Sequence, residues 1–179
     1  MRDKIVAGNW KMNLNYEDAI HLATNLNAWV ADNHPIAQVI IAPSSLYLQT
    51  LLEGVDEQYI KISSQDISAH EKGAYTGDIS AEQLDSIGLD FAIIGHSERR
   101  EYQGETNIDI AEKLKQAFKY QINPILCVGE KLEEREAEKH FEVVKTQIME
   151  ALTPQNSDNL SRLIIAYEPV WAVGTGKTA

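Results

Sequence analysis

Six short apolar runs punctuate the chain: IVAGNW (5–10), QVIIAP (38–43), IKISSQ (60–65), FAIIGH (91–96), PILCVG (124–129) and LIIAYE (163–168). Apart from the start of IKISSQ, they do not show the strict apolar–polar alternation of a strand with one face in water. Nearly continuous hydrophobicity over four to six residues marks strands buried on both faces, as in a parallel sheet. Between the runs lie longer stretches of helical period. Asn15 can cap a helix over Tyr16 to Val30, and Ser80 with Gln83 three residues on reads as a capping box for a short helix that ends near Gly88. Helices are also predicted over Glu105 to Tyr120 and Lys131 to Leu152, the latter containing the charged stretch EKLEEREAEKH as a solvated face.

About six β-then-α units follow from this pattern, with spacings that suit right-handed crossovers. Two α/β architectures accept it: a doubly wound open sheet and a (β/α)8 barrel. A barrel needs about 250 residues. These 179 residues, read as a single domain over 1–179, would supply about six of its eight units. One connection is disproportionately long, DISAHEKGAYTGDI (66–79), and loops of that length are usually functional.

Composition narrows the partners. The formal net charge of -11 disfavours nucleic acid and anionic membrane surfaces, both of which require clustered Lys and Arg. The first residues contain no apolar core of a signal peptide, and no apolar run approaches a membrane span. A single cysteine, Cys127, rules out a disulfide within the chain and fits a reducing compartment, so a cytoplasmic protein is expected. The histidines His21, His34, His70 and His140 have no metal-ligand spacing.

The closing stretch VWAVGTGKTA contains GTGKT, the ending of a phosphate-binding P-loop. Counting back from Gly176, however, puts Trp171 where the opening glycine of that motif belongs, so a nucleotide site of this type is not expected.

Polar residues gather at the C-terminal ends of the apolar runs: Asn9 and Lys11, Gln65, His96 and Glu98, Glu130, and Glu168. Ligands bind at that rim in both candidate architectures. Taken singly, Lys11 reads as a surface lysine and His96 as a structural histidine. Glu168 is harder to dismiss, because a carboxylate after four buried apolar residues and before a proline must be hydrogen-bonded or functional. Together they suggest a chemistry. A partly desolvated carboxylate gains basicity and can remove a carbon-bound proton. An imidazole at a helix N-terminus favours its neutral form and can donate N–H to a carbonyl oxygen. An ammonium group stabilises the resulting oxyanion. The reaction class is proton abstraction beside a carbonyl.

The stretches AGNWKMN, QDISAHEKGAYTGDIS, IIGHSERR, ILCVGE and AYEPVWAVGTGKTA, in this order, resemble the triosephosphate isomerase family along the whole chain. The resemblance implies a (β/α)8 TIM barrel and interconversion of D-glyceraldehyde 3-phosphate and dihydroxyacetone phosphate through an enediolate, with no metal or organic cofactor. It implies Glu168 as the base, His96 as the electrophile, and Asn9 and Lys11 as donors to substrate oxygens. Glu98 and Cys127 stand behind them, Cys127 as a packed residue without chemistry. Residues 169–171 match the first hinge of a lid, Ala172 to Gly176 its tip, with Gly174 offering a backbone N–H to the phosphate, and 177–179 its second hinge. Thr76 on the long loop matches an arm that reaches a second subunit, which implies a homodimer. Asp78 and Asp66 depart from the family's more common glutamate and asparagine. A barrel of six strands lacks the loops that cup the phosphate. These 179 residues alone are therefore expected to turn over little substrate, and the alternative reading is a non-catalytic chain that keeps the fold.

Overall fold

The computed structural model describes residues 4–172. All six apolar runs become parallel strands: β1 (Ile5–Asn9), β2 (Gln38–Ala42), β3 (Ile60–Ser64), β4 (Phe91–Ile94), β5 (Asn123–Val128) and β6 (Ile164–Tyr167). They pair in sequence order, β1-β2-β3-β4-β5-β6, and curl into a half-barrel. Consecutive pairing selects the barrel over the doubly wound alternative, in which the strand order reverses part-way along the sheet.

The helices on the outside are α1 (Tyr16–Asn33), α2 (Leu48–Gly54), α3 (Ala81–Ser86), α4 (Ser97–Tyr102), α5 (Asn107–Lys119), α6 (Leu132–Glu136) and α7 (His140–Leu152). Their starts are chemically marked. The Asn15 side chain accepts from Asp18 N–H at the head of α1, and Ser80 and Gln83 form a reciprocal capping box on α3. Thr106 and Asp109 do the same for α5, each box satisfying backbone donors that a helix end leaves orphaned.

One predicted helix is wrong. The stretch 131–152 divides into α6 and α7, because Glu138 adopts a left-handed backbone (φ 58°) and the Lys139 N–H turns back to the Glu134 carbonyl. No apolar stripe runs through EREAEK to hold a continuous helix against the sheet, and so tertiary packing does not oppose the break.

Side chains alternate across each strand and build two cores. Outward residues such as Ile41, Ile62, Ala92, Ile94, Leu126 and Val128 pack against the helices in one large cluster. Ile110 and Leu114 of α5 have no exposed surface there, and each buried side chain of this size contributes about 1.5–3 kcal/mol. Inward residues form a smaller cluster of Ile40, Ala42, Phe91, Ile93, Ile125 and Cys127. Strands β2 to β5 are largely buried on both faces, as their composition predicts. The edge strands are not: the three central residues of β1 are exposed, and so are Ile165 and Tyr167 of β6. Among the described residues, no pairing joins β1 to β6.

Candidate active site

The site is built on the C-terminal ends of β1, β4 and β6. After β4 the chain turns sharply at Gly95, whose φ of 74° and close approach to Ile110 and Arg100 leave no room for a side chain. This turn makes His96 the cap of α4. Its Nδ1 accepts the Glu98 backbone N–H at 3.2 Å. A ring nitrogen that accepts an N–H carries no proton, so the imidazole proton lies on Nε2. That nitrogen stands 2.8 Å from Glu168 Oε1 and donates to it. The other carboxylate oxygen, Oε2, accepts the Ser97 N–H at 3.0 Å.

At the end of β1, Lys11 has a left-handed backbone (φ 54°), held by two contacts. Its own N–H donates to Asn9 Oδ1 at 2.9 Å, and its carbonyl accepts from Gln65 Nε2 at 2.8 Å, an amide that also donates to the Ala42 carbonyl. A short Asn side chain bonded to the backbone two residues on is one of the few ways a non-glycine residue holds such a turn. The Lys11 ammonium lies 2.7 Å from Glu98 Oε1. His96 and Lys11 are thus linked through Glu98, by its backbone on one side and its carboxylate on the other.

Asn9, His96, Cys127 and Glu168 line a single cavity of about 170 Å³ whose floor is apolar, formed by residues such as Ile40 and Ile125. Lys11 does not line it, and reaches the cluster through Asn9 and Glu98. Thr76 lies exposed on the long loop after β3, away from this cavity. The loop is nonetheless built rather than slack: Ser68 Oγ donates to Asp78 Oδ2 at 2.6 Å, and His70 stacks on Tyr75. Gly174 and the rest of 173–179 lie outside the described residues.

The protonation states follow from these contacts. Burial alone would raise the Glu168 pKa. The hydrogen bonds from His96 and from the Ser97 N–H outweigh burial and hold the carboxyl below its ordinary value of 4.5. This corrects the expectation of a base with raised basicity, because with donors on both oxygens the ionised form is the favoured one. A depressed folded-state pKa stabilises the fold above 4.5, and that contribution disappears as pH falls through the folded value. Thermal unfolding followed from pH 7 to 3 should therefore show a steeper acid-side loss in the parent than in Glu168→Gln; equal slopes would contradict the pairing. Cys127 is buried, and burial, reinforced by the nearby Glu168 charge, pushes its thiol up to about 12. It is protonated and unreactive at neutral pH.

Glu130, noted in the sequence only as a rim residue, has its own task. Its side chain has no exposed surface and accepts from Tyr167 Oη at 2.9 Å, Trp171 Nε1 at 2.8 Å and Arg135 Nη1 at 3.2 Å. It thereby ties the turn Val170–Ala172 back to β6 and α6. No sequence signal identifies that role, since Tyr167, Trp171 and Arg135 converge on it only in the fold. Among the described residues, no group of three or more His, Cys, Asp or Glu is disposed to hold a metal ion. No described helix is long and apolar enough to cross a membrane.

The cavity thus sets a neutral imidazole against a carboxylate over an apolar floor, with Lys11 joined to the ring through Glu98. The sequence model of the family described as triosephosphate isomerase matches residues 4–179. The chain belongs to the triosephosphate isomerase family. Proteins named triosephosphate isomerase from Porphyromonas gingivalis, Chloroherpeton thalassium and Clostridium acetobutylicum are 46%, 44% and 43% identical to it over 179 residues, in each case 100% of this chain and 71% of the relative. Of the positions that the resemblance to triosephosphate isomerase singles out, Asn9, His96 and Glu168 line one cavity. Of the lid tip that the resemblance implies, 172–176, all but Ala172 lie outside the described residues.

Proposed function

We propose that the protein interconverts D-glyceraldehyde 3-phosphate and dihydroxyacetone phosphate, with Glu168 moving the proton and His96 polarising the carbonyl. The observation that carries this reading is the Nε2–H of His96 pointed at the Glu168 carboxylate across the cavity.

In the free site the two groups satisfy each other. A substrate carbonyl oxygen takes the Nε2–H in place of Glu168 Oε1. The released carboxylate loses a donor, becomes more basic and is free to approach the carbon-bound hydrogen. It removes that hydrogen as a proton, leaving an enediolate whose developing negative charge faces the imidazole N–H and draws the Lys11 ammonium from Glu98. The hydroxyl proton passes from the neighbouring oxygen to the former carbonyl oxygen by way of His96 Nε2, and Glu168 returns its proton to the neighbouring carbon, which together complete the isomerisation. The chain's net charge of -11 gives an anionic substrate no general attraction, so the local donors Lys11 and Asn9 hold it. The resemblance implies a further phosphate donor in the backbone N–H of Gly174, which lies outside the described residues.

We also propose a homodimer. Met12, Leu46, Tyr75 and Tyr102 follow β1, β2, β3 and β4 in turn and are exposed, so large apolar side chains face solvent at the same end of the sheet as the arm that carries Thr76. Large exposed apolar patches mark interaction surfaces. The free thiol of Cys127 suits the cytoplasm. Turnover of D-glyceraldehyde 3-phosphate by the purified full protein tests the activity, and absence of turnover would refute it. Sedimentation showing only a monomer would refute the dimer.

A further inference from the structure

We propose that Gln147, on the outer helix α7, is a positioning residue that fixes the backbone seat of Glu168. Its amide meets one backbone residue with both ends: Oε1 accepts the Gly129 N–H at 2.9 Å, and Nε2 donates to the Gly129 carbonyl at 3.0 Å. Gly129 is the first residue past β5, where the strand ladder ends at Val128 and Tyr167. A two-point contact at that place fixes both the position and the tilt of the peptide units around Gly129, which a single hydrogen bond would leave free to rock.

Gly129 bears directly on the base. A Cβ added there would overlap the Glu168 carbonyl oxygen, so the Glu168 backbone rests on Gly129 with no side chain between them. On one side of Gly129, the Val128 carbonyl accepts the Glu168 N–H at 2.8 Å. On the other side, Glu130 holds Tyr167 and Trp171, the residues that bracket Glu168, Pro169 and Val170. The tripeptide 128–130 therefore supports the base from three directions, and Gln147 is the side chain that grips its middle. Gln147 itself does not line the cavity that holds His96 and Glu168. Its effect passes through Gly129 to the 2.8 Å contact between His96 Nε2 and Glu168 Oε1.

The competing explanation is that the amide merely docks α7 on β5. A comparison with Gln155 separates the two. Gln155 makes a similar pair of contacts, Nε2 to the carbonyls of Ala111 and Ala151 at 2.8 and 3.1 Å, remote from the cavity. Gln147→Met keeps side-chain length and volume while removing both bonds, and Gln147→Glu keeps the acceptor for the Gly129 N–H while opposing the Gly129 carbonyl.

The activity readout rests on the isomerase reading. Gln147→Met should lower kcat by about 10- to 100-fold with KM within about threefold, since misplacement of a catalytic group by about 1 Å costs on that order. Gln155→Met should leave both constants unchanged. The second readout does not need activity: the 15N and 1H shifts of the His96 Nε2–H in the ligand-free full protein. Gln147→Met should move them in the same direction as Glu168→Gln does, Gln147→Glu by less, and Gln155→Met not at all. If His96 signals in a folded Gln147 variant match those of Gln155→Met, the proposal is overturned. If they move while the parent shows no turnover, the positioning role stands and the isomerase reading fails.

Discussion

Glu168→Ala should lower kcat by at least about three orders of magnitude and leave KM changed only modestly, because proton transfer by a placed carboxylate acts in the transition state. The variant also removes the acceptor of the His96 Nε2–H, so the imidazole keeps its tautomer, set by the Glu98 N–H on Nδ1, but points into an emptied cavity. Substrate should still bind through the donors of Asn9 and Lys11, which Glu168 does not touch. A kcat within tenfold of the parent would show that the proton is carried by another group. A large rise in KM with kcat preserved would make Glu168 a binding residue instead.

The second large effect concerns stability. Lys113→Met should cost about 3–5 kcal/mol, a substantial share of the roughly 5–15 kcal/mol that holds a domain folded. The Lys113 side chain is 6% exposed, and its ammonium lies 2.6 Å from both Asp66 Oδ1 and Glu105 Oε1. Arg99 pairs with the same two carboxylates. Burial already outweighs these cations at Asp66 and raises its pKa to about 6, with Lys113 as the chief opposing influence. Without Lys113, two buried carboxylates face each other with Arg99 alone between them. The deficit should shrink as pH is lowered from 8 to 5, because Asp66, its pKa already raised to about 6, takes up a proton over that range. Asp66→Asn added to Lys113→Met should recover part of the loss, as expected for groups in one network. Urea unfolding of the parent and the two variants measures this, and a loss under about 1 kcal/mol for Lys113→Met would refute the buried network's importance.

These two residues also show how far the chain could be read without coordinates. Glu168 was legible because a carboxylate between an apolar run and a proline contradicts its surroundings, and Asn15, Ser80 and Gln83 were legible because capping is local chemistry. Lys113 was not. It occupies the buried face of α5 beside Ile110, Leu114 and Ala117, yet in the sequence it is one more charged residue in AEKLKQ, and its partners stand 47 and 8 positions away. Gln147 and Glu130 were hidden for the same reason, since a polar side chain aimed at a distant backbone or indole leaves no periodic trace. The lowered Glu168 pKa required knowing that both of its oxygens already have donors. The break between α6 and α7 depends on one left-handed residue, Glu138, a conformation that glutamate rarely signals in advance.

The alternation of β4 and β5 between two separate cores has an evolutionary consequence. Ile93, Ile125 and Cys127 face the reaction chamber, whereas Ala92, Ile94, Leu126 and Val128 face the helices. Neighbouring codons in these strands therefore answer to different selective demands, so the shape of the chamber can drift toward new substrates while the scaffold that keeps the chain folded is left intact.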